Sequence, residues 1–211
     1  MMKGLSAIAG VLLAGGRSSR MGGGDKCLRL LGGRPVLSRA IARARPQVGP
    51  LVLNANGDPV RFAAFGLPVA ADPVGGFAGP LAGILAGLLW ARAHHPDVAW
   101  VASFPTDVPF FPADLVERLA AARAARSAEM AYAESGGRAH PVFGLWPVAL
   151  ADSLRRDLVE GGARKVDAWA ARHRVATVAY PVEPFDPFLN VNSPEDEAAA
   201  ERLIAEGVGP R

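Results

Sequence analysis

Cysteine is nearly absent: Cys27 is the only one among 211 residues. A lone thiol can form neither an internal disulfide nor a cysteine-built zinc site, so the fold must rest on its apolar core, and a reducing compartment, the cytoplasm, is the expected location. Lysine is almost as scarce. Lys3, Lys26 and Lys165 are the only three among 23 basic residues, so arginine carries nearly all the positive charge and Lys26 stands out. The net charge is only +3 and the arginines are scattered, which argues against a nucleic-acid stripe. Membrane-length apolar runs are missing as well. Residues 4–16 imitate a signal peptide after Lys3, but a short buried strand entering a glycine loop explains them better. Residues 79–91 stop at Arg92, short of the roughly 20 residues a bilayer needs, and read as a core helix. No membrane association is expected.

Glycine and proline are abundant. They number 24 and 18, about a fifth of the chain, below the roughly 25 to 30% that marks low complexity, so the reading is a globular protein rich in turns. A chain of this length buries roughly 70% of its unfolded surface without any cross-link. Apolar runs bounded by Gly, Pro, Asn or Asp predict strands at 7–14, 50–54, 68–71 and 99–104. Helices are predicted between them. Residues 35–45 open with a proline suited to the first helical position; Leu81, Ile84, Leu85, Leu88 and Leu89 form a core-facing stripe; and 112–126 turns Leu115, Val116 and Leu119 inward. Further along, strands are expected at 130–133, 141–146 and 175–179 and helices at 148–156 and 163–172. The last helix has the clearest start, with Ser193 as N-cap, Pro194 at N1 and Asp196 at N3, running to about Glu206. Strands alternating with helices imply parallel βαβ units, hence an α/β, doubly wound sheet covered on both faces. With no repeat and no linker, a single domain is expected.

The richest segment is 13–26, LAGGRSSRMGGGDK, which places five glycines, two arginines and a lysine just after a buried strand. Glycines let backbone N–H groups approach a phosphate, and Arg17, Arg20 and Lys26 can neutralise it; the plain alternative is a surface loop with solubilising arginines. It is not a Walker loop, since no GxxxxGK[ST] occurs and Cys27 follows the lysine, and it lacks the GxGxxG of a dinucleotide turn. A triphosphate held there needs a metal-binding carboxylate from elsewhere. Asp107, in FPTDVP just past the predicted strand 99–104, stands where open α/β sheets place ligands, beside the first strand in the common doubly wound order. The plain alternative on local sequence is a turn residue before proline. Asn54 and Asp72 share the location argument. His94 and His95 read as a helix C-terminal charge complement, Cys27 as a small buried hydrophobe, and Trp90, Trp100, Trp146 and Trp169 as core.

The segments LAGGRSSRMGGGDK (13–26), LNAN (53–56), ADP (71–73), GPLAGI (79–84), PTDVP (105–109), HP (140–141) and NVNSPED (190–196) occur in an order that resembles the molybdenum cofactor guanylyltransferase family over nearly the whole chain. The first is shared by many nucleotidylyltransferases; LAGG with MGGxDK, GPLAG and NVNSPE points to this branch. The resemblance implies a Rossmann-like nucleotidyltransferase fold, with 1–126 as nucleotide-binding half and 127–211 as acceptor-side half. It implies transfer of GMP from GTP to the phosphate of molybdenum-bound molybdopterin, forming the guanine dinucleotide cofactor and releasing pyrophosphate. Leu13, Ala14, Gly15 and Gly16 would line guanine and ribose, Asn54, Asp72 and Gly83 would contact the nucleotide, Arg20 and Lys26 would meet the phosphates, and Asp107 would hold Mg2+. Molybdenum-insertion proteins and molybdoenzymes are the implied protein partners. Two departures stand out: Gly24 occupies a place where many members carry a larger residue, and Val142 follows His140-Pro141 where threonine is common.

Such a reaction needs no covalent nucleophile, because the acceptor phosphate is already anionic, and no Ser-His-Asp set is evident. Asn190, Asn192, His140 and the pair Arg164 and Lys165 are the candidates for the acceptor, asparagine suiting a pterin by offering both a donor and an acceptor. On this division, replacing both asparagines would leave GTP binding nearly unchanged. The rival readings are a cytidylyltransferase for the same cofactor, a sugar-phosphate nucleotidylyltransferase, and a noncatalytic nucleotide-binding adaptor.

Overall fold

Along the run IAGVLL of residues 8–13, side chains alternate between two apolar clusters: Ile8 and Leu12 join one, Ala9 and Val11 the other. A strand buried on both faces needs strands at both edges and cover above and below. In the computed structural model, which describes residues 7–14, 25–75 and 79–207, this run is the third strand in a seven-stranded sheet. In chain order the strands are β1 (Ile8–Leu13), β2 (Leu30–Leu31), β3 (Arg34–Pro35), β4 (Leu51–Asn54), β5 (Val69–Ala70), β6 (Trp100–Pro105), β7 (Met130–Ser135), β8 (Arg138–Pro147) and β9 (Val175–Tyr180). The helices are α1 (Val36–Ala44), α2 (Pro80–His94), α3 (Leu115–Ala125), α4 (Ala151–Val159), α5 (Val166–Ala170) and α6 (Pro194–Ala205).

The sheet order is β5-β4-β1-β6-β8-β7-β9, with every pairing parallel except those of β8. An α/β, mostly parallel sheet is thus present as expected, and β8 is the departure. Its cause is local. Gly136 and Gly137 join β7 to β8 with φ of 54° and 74°, and two positive φ values in a two-residue loop return the chain antiparallel. Gly32 and Gly33 close the small β2–β3 hairpin in the same way. Because β8 runs backwards, its first residues lie at the edge where the other strands of the sheet end.

The helices α1 and α3 cover one face, Leu37 and Ala40 of α1 over β1 and β6 and Leu115, Val116 and Leu119 of α3 over β7, β8 and β9, while α2, α4 and α5 cover the other. The inward set predicted for α3 is the one observed. Helix α2 exceeds its predicted stripe: Ala82, Gly83, Ala86 and Gly87 are buried along with the leucines, and Leu89 is only partly so, because the helix is apolar all round and lies under α4 as well as over the sheet. Pro35 sits at the N-cap of α1 and not inside it, and α3 begins three residues after Pro112. Trp146 and Trp169 are core, whereas Trp90 and Trp100 are only partly buried: Trp90 stacks on His94, and Arg123 covers the Trp100 ring. Cys27 is buried as expected, and burial pushes its thiol up to about 12. Among the described residues no helix is long and apolar enough to cross a membrane.

Candidate active site

The edge where the parallel strands end gathers the candidate residues. At the end of β1, Thr106 donates to the Leu13 carbonyl from both its N–H, at 3.2 Å, and its hydroxyl, at 3.1 Å, while Ala14 N–H donates to the Asn54 carbonyl at 3.0 Å. The chain therefore enters the glycine loop from a strand end clamped by β4 and β6. The loop itself, with Gly15, Gly16, Arg17, Arg20 and Gly24, lies outside the described residues.

Asn54 ends β4 and is buried, its amide donating to Ala70 O at 3.1 Å and to Asp72 Oδ1 at 2.9 Å. Asn56 completes the bracket: its amide donates to Asp72 Oδ2 at 2.7 Å and its Oδ1 accepts from Asp72 N–H at 2.9 Å. Above them, α2 approaches so closely at Gly83 that a Cβ there would overlap Asn54 Oδ1 and stand 2.7 Å from Leu13 Cδ2. Leu13, Asn54, Asp72 and Gly83, far apart in sequence, are thus one packed corner.

The second corner lies past β6. Asp107 is half-buried, and burial pushes its carboxyl up against the opposing pull of a backbone N–H, of Lys26 and of a hydrogen bond from the Asn190 side chain. The Asp107 carbonyl accepts Val191 N–H at 2.8 Å. One residue on, Asn192 Oδ1 accepts Lys26 Nζ at 3.0 Å, and its own N–H is held by Asp196 Oδ2 at 3.0 Å within the capping box of α6. Lys26, Asp107, Asn190 and Asn192 therefore form a single group. A largely desolvated carboxylate at this edge, with Lys26 as the cation acting on it among the described residues, has the chemistry to take a metal ion. Among the described residues no three His, Cys, Asp or Glu side chains cluster to hold a metal without help.

Farther along the same edge, the pairing of β7 with β8 slips between Tyr132 and Ala133, so that Tyr132 faces Gly144 while Ala133 faces His140. The bulge absorbs Pro141, which cannot donate to a ladder, and re-aims His140. Ser135 Oγ donates to Asp186 Oδ1 at 2.9 Å, so its 2.7 Å contact with His140 Nε2 is one in which the imidazole donates. Serine is the middle member and its hydroxyl is not activated by a base, which rules out a hydrolytic triad here. The imidazole stacks on Phe188 with ring centres 4.5 Å apart, and burial holds it below the usual histidine pKa. Since Asp186 and Phe188 lead directly into Asn190, one segment, 186–192, runs from His140 to Lys26.

Arg164 and Lys165 take no part in these hydrogen bonds: Arg164 reaches the carbonyls of Leu158 and Ala163, and Lys165 stands at the N-cap position of α5 without a side-chain capping bond. Sequence reasoning passed over Asn56, Thr106, Ser135 and Asp186. Asn56 lies within LNAN and Thr106 within PTDVP, while Ser135 and Asp186 carry no local signal, since their contacts span 5 and 51 positions.

Comparison with known proteins gives the family. Residues 10–177 match the family described as MobA-like NTP transferase domain. A molybdenum cofactor guanylyltransferase of Rhodopseudomonas palustris (strain BisB5) is 58% identical over 93% of this chain and 94% of its own length, and one of Bradyrhizobium sp. (strain ORS 278) is 56% identical over 95% and 94%. The crystal structure of molybdopterin-guanine dinucleotide biosynthesis protein A from Archaeoglobus fulgidus superposes with a TM-score of 0.70, covering 94% of this chain and 99% of that one; at 22% identity it bears on the fold alone. The chain thus belongs to the molybdenum cofactor guanylyltransferase family and is a nucleotidyltransferase.

Proposed function

We propose that this chain transfers GMP from GTP to the phosphate of molybdenum-bound molybdopterin in the cytoplasm. The observation that carries the reading is the group formed by Lys26, Asp107, Asn190 and Asn192 beside the entrance to the glycine loop. In this reading residues 1–126 bind the nucleotide and 127–211 bind the acceptor, as halves of a single domain. Leu13, Ala14, Gly15, Gly16, Asn54, Asp72 and Gly83 frame guanine and ribose, while Arg20 and Lys26 neutralise the phosphates. An oxygen of the acceptor phosphate bonds to the α-phosphorus as the bond to the bridging oxygen breaks and pyrophosphate leaves; the protein's task is to align the two anions and offset their charge. Asp107 is the residue that would hold Mg2+. Magnesium commonly takes one or two carboxylates with substrate phosphates completing its shell, and it would supply charge neutralisation at the phosphate oxygens. Asn190 and Asn192, with His140 farther along the same segment, orient the pterin. Molybdenum-insertion proteins and molybdoenzymes complete the reading as donor and recipients.

The test is pyrophosphate release from GTP, CTP or ATP with magnesium, with and without molybdopterin bearing molybdenum. Release that requires both GTP and the acceptor is expected. Equal release with CTP would make the chain a cytidylyltransferase, and none with any nucleotide would leave a binding protein.

A further inference from the structure

We propose that Arg61 is a positioning residue for the nucleotide phosphates, acting by neutralising Asp25 so that the charge of Lys26 remains directed at the substrate; this rests on the reading of Lys26 as a phosphate contact. Arg61 lies in the 3-10 turn Pro59–Phe65 after β4, far in sequence from the glycine loop. Its guanidinium makes three contacts at once: Nε donates to Asp25 Oδ2 at 2.5 Å, Nη1 to the Asp58 carbonyl at 2.7 Å, and Nη2 to the Asn56 carbonyl. Its flat face lies 4.6 Å from the centre of the buried Phe62 ring. The side chains of Arg61 and Asp25 are only 31% and 26% exposed, so the pair is screened less than a surface pair would be.

Lys26 directly follows Asp25 in the chain and acts on Asp107, so an unneutralised Asp25 would set a second carboxylate near the one ammonium. The same neighbourhood is felt by the Cys27 thiol, on which Asp25, Arg61 and Asp107 all act. Without Arg61, Asp25 would be a partly buried carboxylate with no other ion-pair partner among the described residues, placed beside Lys26 in the chain and repelling an entering polyanion. With it, Asp25 is satisfied and Lys26 reaches across to Asn192. The guanidinium also ties the Asn56 carbonyl, whose side chain brackets Asp72, to the residue preceding Lys26, so the base-side and phosphate-side corners share one cation.

The test compares Arg61→Gln, Arg61→Lys and the double variant Arg61→Gln with Asp25→Asn, each first shown to be folded by circular dichroism, using titration calorimetry with GTP and with GMP. Arg61→Gln is expected to weaken GTP roughly tenfold and GMP much less, while Arg61→Lys stays within about threefold of the parent. Adding Asp25→Asn to Arg61→Gln should restore most of the GTP affinity, a rescue that a purely structural role would not give. If Arg61→Gln binds GTP like the parent, or if Asp25→Asn fails to rescue it, the proposal is overturned. Failure of the parent chain to bind GTP at all would instead overturn the reading on which the proposal rests. Should Arg61→Gln not fold, Asp25→Asn alone decides: tighter or equal GTP binding supports the electrostatic role, and weaker binding overturns it.

Discussion

Lys26 donates from Nζ to Oδ1 of Asn192 at 3.0 Å, across 166 positions of sequence. The contact joins the residue that closes the glycine loop to the segment leading into the last helix, so the halves proposed for nucleotide and acceptor share a hydrogen bond. It also alters an expectation: substitution of Asn192 should reach the nucleotide as well as the acceptor.

Asn192→Ala should therefore weaken GTP roughly three- to tenfold, the range of one ordinary hydrogen bond, and Lys26→Ala should weaken it further by removing the charge. Calorimetric titration with GTP measures both. Parental affinity in Asn192→Ala would make the contact incidental to nucleotide binding.

Asp107→Asn should keep the fold and reduce turnover by about 100-fold or more, equivalent to roughly 2.7 kcal/mol in the barrier. Stability should move the other way. Burial raises the Asp107 pKa in the folded chain, so the stability tied to its protonated form is present at low pH and lost as pH rises through the folded value. A neutral amide escapes that loss, and thermal melts near pH 7 should show a Tm equal to or above the parent's. A lowered Tm would show that the carboxylate is itself a structural anchor.

Gly83→Ala places a methyl group against Asn54 and Leu13, and overpacking of this kind costs about 1–3 kcal/mol. Gly75→Ala is the control, since no atom of the described residues lies within 4 Å of its added carbon and its φ is outside the left-handed region, and it should fall within about 0.5 kcal/mol of the parent. Urea unfolding of the two variants tests the contrast. Equal midpoints would mean that α2 yields without strain.

Asp196→Ala removes half of a capping box. Hydrogen bonds from the Asn192 backbone and, less strongly, from Ser193 hold this carboxyl below its ordinary value of 3.8, so the stability it contributes is present above that value and lost as pH falls through the lower folded one. The variant should be about 1 kcal/mol less stable at pH 7, with the difference shrinking below about pH 4. Unfolding curves at both pH values measure it. A difference that persists undiminished at pH 2 would trace to packing and not to the cap.

Much of the fold was legible because it is written in short-range pattern. Period-two burial in β1, an apolar run too long for a strand and too short for a membrane in α2, and the Ser193, Pro194 and Asp196 sequence at α6 each report on residues within a few positions of one another. The same is true of Asp107, whose place past a strand end follows from the strand itself. Gly136 and Gly137 were legible too, in principle, as a two-residue hairpin that reverses β8.

By itself, then, the sequence determined which segments are strands and helices, which faces are apolar, and that a glycine-rich loop with one lysine follows the central strand, since those depend on side-chain periodicity and local backbone preference. Only the tertiary structure decided which polar groups meet. The bulge that turns His140 toward Ser135, the clamp of Thr106 on Leu13, the reach of Arg61 to Asp25 and that of Lys26 to Asn192 link positions from 5 to 166 apart, and they exist because strand order and helix packing carry those positions to one edge. A polar side chain carries no periodic mark of its distant partner; the burial of the apolar faces around it sets that pairing.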